Sequence, residues 1–129
     1  MNKVVLTVDD DASIRMLIKS ALRAERSVDV VEACDGLAGL EAARTCQPDL
    51  VILDVVMPRQ NGIETLMKLR ADPTFLNTPV IMLTAVKDNK KLNSLLAQSK
   101  TDFMAKPFMV EMLRKKVREA LFPDGKNLC

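Results

Sequence analysis

Ten consecutive residues, Asp49-Leu50-Val51-Ile52-Leu53-Asp54-Val55-Val56-Met57-Pro58, constrain this chain more than any other stretch. A near-continuous apolar run of this kind reads as a strand buried on both faces, the mark of a parallel sheet covered by helices. The run carries a carboxylate, Asp54, and is then broken by Pro58 and the Asn61-Gly62 turn signal. In open parallel sheets, ligands bind beyond the carboxyl ends of the strands. Asp54 is therefore expected where chemistry is done, with an apolar wall behind it. The bland alternative is an acid that merely caps a turn.

The rest of the chain supplies the sheet. Residues 3–8 read as a first strand, and from Ala12 to Glu25 the residues Ile14, Leu17, Ile18, Ala21 and Leu22 fall on one helical face. Val28 to Ala33 is a second strand closed by Asp35-Gly36, and Leu37, Leu40 and Ala43 mark a second helix that stops near Gln47-Pro48. After the third strand comes a helix bearing Ile63, Leu66, Met67 and Arg70, then a fourth strand, Val80 to Leu83, ending at Thr84. A polar helix with Leu92, Leu95 and Leu96 leads to a short strand at Asp102 to Ala105. The last helix carries Val110, Leu113, Val117 and Leu121 and fades at Pro123-Asp124-Gly125. Five βα units imply an α/β fold: a doubly wound parallel five-stranded sheet, (βα)5, with right-handed crossovers and helices on both faces. At 129 residues the expectation is a single domain over 1–129, with a core over about 3–122 and a short tail over 123–129.

Composition narrows the function. The net charge of +2 is too balanced to argue for direct DNA binding. The amino-terminal apolar run is too short for a signal peptide or a membrane span, so no membrane contact is expected. Cys34, Cys46 and Cys129 are odd in number and scattered, which suits free thiols in a reducing cytoplasm. The chain has no histidine, which excludes histidine as its own metal ligand, base or phosphoryl carrier.

The strand ends then form a constellation. The first strand ends in Asp9-Asp10, the third in Asp54, the fourth in Thr84, and the fifth runs into Lys106-Pro107. A parallel sheet gathers all of them at one edge. Carboxylates brought together there repel by roughly 4 kcal/mol per pair at ~4 Å and an effective dielectric near 20. They call for a hard cation, and oxygen ligands with room for water suit Mg²⁺. A carboxylate nucleophile, a metal, a lysine and a hydroxyl together describe a site for a phosphoryl group. Singly, each has an ordinary explanation: Asp9-Asp10 or Thr84 as helix caps, Lys106 as a solvated lysine.

The sequence resembles the receiver domains of bacterial response regulators over essentially its whole length. The motifs that carry the resemblance are Val8-Asp9-Asp10, Pro48 to Pro58, Asn61-Gly62, Pro79-Val80-Ile81-Met82-Leu83-Thr84-Ala85 and Lys106-Pro107-Phe108. It implies a flavodoxin-like sheet with strand order 2-1-3-4-5. It also implies that Asp54 accepts a phosphoryl group from a histidine kinase or phosphotransfer protein. Asp9, Asp10 and Asp54, with the backbone carbonyl of Val56, would hold Mg²⁺, for which Mn²⁺ could substitute. Lys106, whose bond to the following proline is commonly cis in this family, would pair with a phosphate oxygen. Thr84 would move toward the acyl phosphate beside the small Ala85, and Phe103 occupies the aromatic switch position. For Phe103 the plain alternative is a core residue. Two departures stand out: Ser99-Lys100 replaces a usual Gly-Ala pair, and Asn61 stands where aspartate is frequent.

The function implied is a two-state switch rather than an enzyme, catalysing only its own phosphorylation and slow dephosphorylation. Its signal would pass to a downstream protein through the surface of the fourth helix, fifth strand and fifth helix. No output segment is seen after the last helix, so the expectation is a stand-alone receiver or one cut from a longer protein. A monomer is expected, able to dimerise when phosphorylated. Lys87, Lys90, Lys91, Lys100, Arg114, Lys115, Lys116 and Arg118 read either as solvated helix faces or as a dock for an acidic segment. Val56 and Val86 flank the expected approach of hydrolytic water and are apolar and branched, which predicts slow self-dephosphorylation. Two other functions remain in view. A haloacid-dehalogenase-like phosphatase would want a second aspartate where Val56 stands. A receiver fold kept only for docking would have lost part of the acidic site.

Overall fold

The structure is a computed structural model that describes residues 2–25, 27–55, 61–84 and 100–123. Five strands, β1 (Lys3–Val8), β2 (Val28–Ala33), β3 (Leu50–Asp54), β4 (Val80–Thr84) and β5 (Thr101–Ala105), form one sheet in the order β2-β1-β3-β4-β5, every neighbouring pair parallel. The described helices are α1 (Ala12–Leu22), α2 (Gly36–Cys46), α3 (Gly62–Ala71) and a last helix, Val110–Leu121, with a 3₁₀ turn at Pro73–Phe75. The alternation of patterns implies this parallel sheet, and the family resemblance implies its flavodoxin-like strand order 2-1-3-4-5; both are found. The helix expected around Leu92, Leu95 and Leu96 lies outside the described residues.

The central strands explain why the apolar runs are continuous. Every residue of β3 and of β4 is buried, whereas the edge strands β2 and β5 are only partly so. Strand alternation divides the core in two. Leu6, Val8, Val51, Leu53, Val80 and Met82 face α2 and α3. Val5, Leu50, Ile52, Ile81, Leu83 and Met104 face α1 and the last helix. The last helix buries Leu113, Val117 and Leu121, at the spacing its sequence displays. The apolar stripes of α1 and α3 are narrower than their sequences suggest. Leu17 and Met67 project outward, while Ile18, Ala21, Leu22, Leu66 and Leu69 form the packed faces. Helix α1 also ends at Leu22, short of the Glu25 that its pattern predicts.

Local side-chain bonds set where the helices begin. Asp11 caps α1, accepting from the Ser13 N–H at 2.8 Å, and Asp35 caps α2, accepting from Ala38 at 2.8 Å. Asn61 caps α3, accepting from Glu64 at 2.9 Å, while its own amide donates to the Glu64 carboxylate at 3.3 Å. Asparagine thus does here what the frequent aspartate would do.

Two further residues lock the far end and the open edge of the sheet. Arg70 of α3 donates to the carbonyls of Phe75 and Thr78 at 2.7 and 2.6 Å, and to the Lys100 carbonyl at 3.0 Å. It therefore ties the loop before β4 to the loop before β5. Lys100 itself has φ 68°, the left-handed region that a side chain adopts at a cost, and this is where the sequence departs from a Gly-Ala pair. At the β5 edge, the Asp102 carboxylate accepts from the Phe103 N–H at 2.7 Å and from Lys116 Nζ at 2.9 Å.

Candidate functional site at the carboxyl edge of the sheet

The register of the parallel pairs aligns the strand ends. Val8 stands opposite Leu53, Asp54 opposite Leu83, and Thr84 opposite Ala105. The residues that follow or end these strands, Asp9, Asp10, Asp54, Thr84 and Lys106, therefore share one edge. Carboxylate oxygens of Asp9, Asp10 and Asp54 all lie within 4.8 Å of one another. Asp9 is fully buried and Asp54 nearly so, whereas Asp10 is exposed, so the cluster opens to solvent on one side. Helix capping does not explain Asp9-Asp10, because Asp11 performs that task.

Lys106 supplies the counter-charge. Its Nζ lies 3.1 Å from Asp9 Oδ2 and 3.1 Å from Asp54 Oδ1. Burial works against its positive charge, but the hydrogen bonds and charges of Asp54 and Asp9 outweigh it, and its pKa is raised above the ordinary lysine value. The Lys106–Pro107 peptide is cis. Thr84 is buried at the end of β4. Phe103 is 39% exposed, so it is not the plain core residue that its sequence also allowed. Ala85, Val56 and Val86 lie outside the described residues, as do Lys87, Lys90 and Lys91.

Three hard carboxylate oxygens, one side open to water, fit a cation of the Mg²⁺ type. The β1 end is itself well anchored. Asp9 Oδ1 accepts from the Asp11 N–H at 2.9 Å, and the Asp9 carbonyl accepts from Arg15 Nη1 at 2.5 Å.

A family model described as "Response regulator receiver domain" matches residues 5–118. The chain is a member of that family. Among curated proteins, this receiver domain is 38% identical to the DNA-binding response regulator MtrA of Mycolicibacterium paratuberculosis, over 94% of this chain and 52% of that protein. It is 39% identical to the alkaline phosphatase synthesis transcriptional regulatory protein PhoP of Bacillus subtilis, over 94% of this chain and 49% of that one. The receiver domain thus spans about half the length of these relatives. Among solved structures, the chemotaxis protein CheY4 of Vibrio cholerae aligns over 94% of this chain and 100% of its own, with a TM-score of 0.85 and 32% identity. Receiver domains of two-component response regulators act as signalling switches rather than classical enzymes, and bind Mg²⁺ through an acidic pocket. Among the described residues, no helix is long and apolar enough to cross a membrane.

Three residues important to this receiver's site escaped the sequence reading in their physical roles. Gly62 in the sequence is a turn signal, but a Cβ placed on it would lie 2.0 Å from the Asp54 carbonyl oxygen. Arg15 falls within the helix that the sequence predicts from Ala12, and Asp11 just before it, neither marked out by its pattern. A cation in the first turn of a helix, against the dipole, was the available signal for Arg15. The basic dock that the sequence allows beside plain solvated faces is also thinner than its composition suggests. Arg114 donates to the Ala21 carbonyl and pairs with Glu111, Lys116 pairs with Asp102, and Arg118 pairs with Glu25.

Proposed function

We propose that this chain is a phosphorylation-activated switch in which Asp54 accepts a phosphoryl group from a phosphohistidine of a histidine kinase or phosphotransfer protein. The observation that carries the reading is the convergence of Asp9, Asp10 and Asp54, with Lys106 between Asp9 and Asp54. In the transfer, an Asp54 oxygen forms the new O–P bond as the N–P bond to the donor imidazole breaks, and the imidazole leaves with the bonding pair. Bound Mg²⁺, held by Asp9, Asp10 and Asp54 with the Val56 carbonyl, would offset the negative charge gathered there. Lys106 is already at hydrogen-bond distance from the acceptor, so it can turn from the carboxylate to a phosphoryl oxygen. The added charge, ~1.5 to 2 units at neutral pH, would draw in the Thr84 hydroxyl and favour an inward Phe103 ring.

A protein donor is supported by the surface beside the site. Met16, Leu17, Met109 and Met112 are exposed, and Leu17, Pro107 and Phe108 line a shallow cavity of about 380 Å³ that reaches Lys106. Adaptable methionines suit a face that receives another protein. The signal would leave through β5, the last helix and the helix expected around Leu92–Leu96, toward a protein partner. The DNA-binding relatives, of which this chain spans about half, support a second route, to an output domain on the same chain. Slow self-dephosphorylation, from the apolar pair Val56 and Val86, belongs to the same reading.

Incubation with a small acyl-phosphate donor, followed by intact mass, tests the central claim. Mass gain should require Mg²⁺ and vanish in Asp54→Asn. Equal labelling of that variant removes Asp54 as acceptor. Asp10→Asn should fold normally, because Asp10 is exposed, and bind Mg²⁺ more weakly.

A further inference from the structure

Asp9 is the deepest of the three carboxylates, and it is held from every side. Its N–H donates to the Ala33 carbonyl at 3.1 Å, its Oδ1 accepts from Asp11, and its Oδ2 accepts from Lys106. The fourth contact, Arg15 Nη1 to the Asp9 carbonyl, is the one in which a full charge meets the Asp9 backbone rather than its carboxylate. Arg15 is mostly buried, with its side chain 17% exposed. Its Nε is turned to Glu32 Oε1 of β2 at 3.2 Å, and Lys19 holds the other Glu32 oxygen at 3.6 Å. A planar guanidinium fixed at one end by Glu32 has little freedom at the other. The carbonyl it grips belongs to the peptide that joins Asp9 to Asp10. That peptide is a rigid plane, so holding its oxygen sets the direction in which the chain leaves for Asp10.

We propose that Arg15 is a positioning residue for the cation site: it holds the Asp9–Asp10 peptide so that both carboxylates converge with Asp54, and Glu32 orients the guanidinium. This rests on the Mg²⁺-dependent reading above. Position and charge make opposite demands here, which makes the idea sharp. As a charge alone, Arg15 repels a cation, so its removal would tighten metal binding. As a positioning group, its removal loosens binding.

The test is a titration of the full chain with Mn²⁺, followed by electron paramagnetic resonance, with folding checked by circular dichroism. Arg15→Gln should bind Mn²⁺ roughly 10-fold more weakly than wild type, the low end of what losing a ligand-orienting group costs. Glu32→Gln should shift affinity in the same direction by less, and Arg15→Lys should recover only part of the loss. Equal or tighter binding by folded Arg15→Gln overturns the proposal. Should that variant not fold, Glu32→Gln decides, and an affinity there equal to wild type overturns it as well. A wild-type chain that binds no Mn²⁺ overturns the metal reading and this proposal with it, an outcome read without any variant.

Discussion

Lys106 Nζ lies 3.1 Å from Asp54 Oδ1, joining the ends of β3 and β5 across β4, and the same nitrogen reaches Asp9 just beyond β1. One ammonium thus holds three strands of the edge. Without metal, Lys106→Met leaves two buried carboxylates facing each other and should cost about 1–3 kcal/mol, the range for stranding a buried polar group. Urea denaturation with and without MgCl₂ checks this, because the cation should restore part of the loss. A variant as stable as wild type in metal-free buffer would show that the pair contributes nothing.

The pH dependence of that contact has a definite sign. The Lys106 pKa is raised in the folded chain. Its contribution is therefore fully present below the ordinary lysine value, about 10.4, and is lost as pH rises through the higher folded value. The stability difference between wild type and Lys106→Met should be flat from neutrality into mild alkali and shrink only beyond it. Thermal unfolding across that range reads the difference directly.

Gly62 presses on the acceptor itself. Because a Cβ would sit 2.0 Å from the Asp54 carbonyl oxygen, Gly62→Ala forces α3 away from the end of β3. The cost should reach at least about 1–3 kcal/mol, as for other overpacked sites. Acyl-phosphate labelling should slow as well, since the strand end must move. Labelling at the wild-type rate would mean that the helix yields without disturbing Asp54.

Arg70 acts at the opposite end of the sheet. Arg70→Met removes charge-assisted bonds to four carbonyls and to the Thr101 hydroxyl and should destabilise by roughly 2–4 kcal/mol, while labelling of the folded fraction stays unchanged. Arg70→Lys should recover less than half, because an ammonium cannot fork between two loops. Denaturation midpoints of the two variants give the comparison.

A smaller gain is available in β1. The Thr7 hydroxyl is fully buried and has no hydrogen-bond partner among the described residues. Thr7→Val keeps the shape and removes the stranded oxygen, so stability should rise by about 1 kcal/mol. A loss on calorimetry would mean that Thr7 has a partner after all.

The sheet was legible because burial on both faces writes itself into β3 and β4 as unbroken apolar runs, and parallel alternation then dictates the shared edge. The acidic cluster followed from that edge and needed no knowledge of side-chain contacts. What stayed hidden depended on the third dimension. Leu17 and Met67 match the helical period as well as Ile18 and Leu66 do, and only the packing decides which part of a stripe is covered. Arg70 falls on an apolar face by spacing, yet its head meets carbonyls from two distant loops. The basic residues of the last helix read as a free patch because their partners, Ala21 and Glu25, are remote in sequence.

The carboxylate of Asp102 has a consequence for how β5 can be read by another molecule. Residues facing β4 alternate along β5, as the bonds at Lys100 and Lys106 show, so the Phe103 N–H points away from the sheet. An outward N–H at a sheet edge is an invitation to strand addition. Here it is already taken by Asp102, whose second oxygen is anchored by Lys116. A visiting strand would have to break both bonds before it gained its first. Recognition at this edge is thereby left to side chains, and Phe103, 39% exposed in the middle of it, is the one whose exposure would change under the proposed switch.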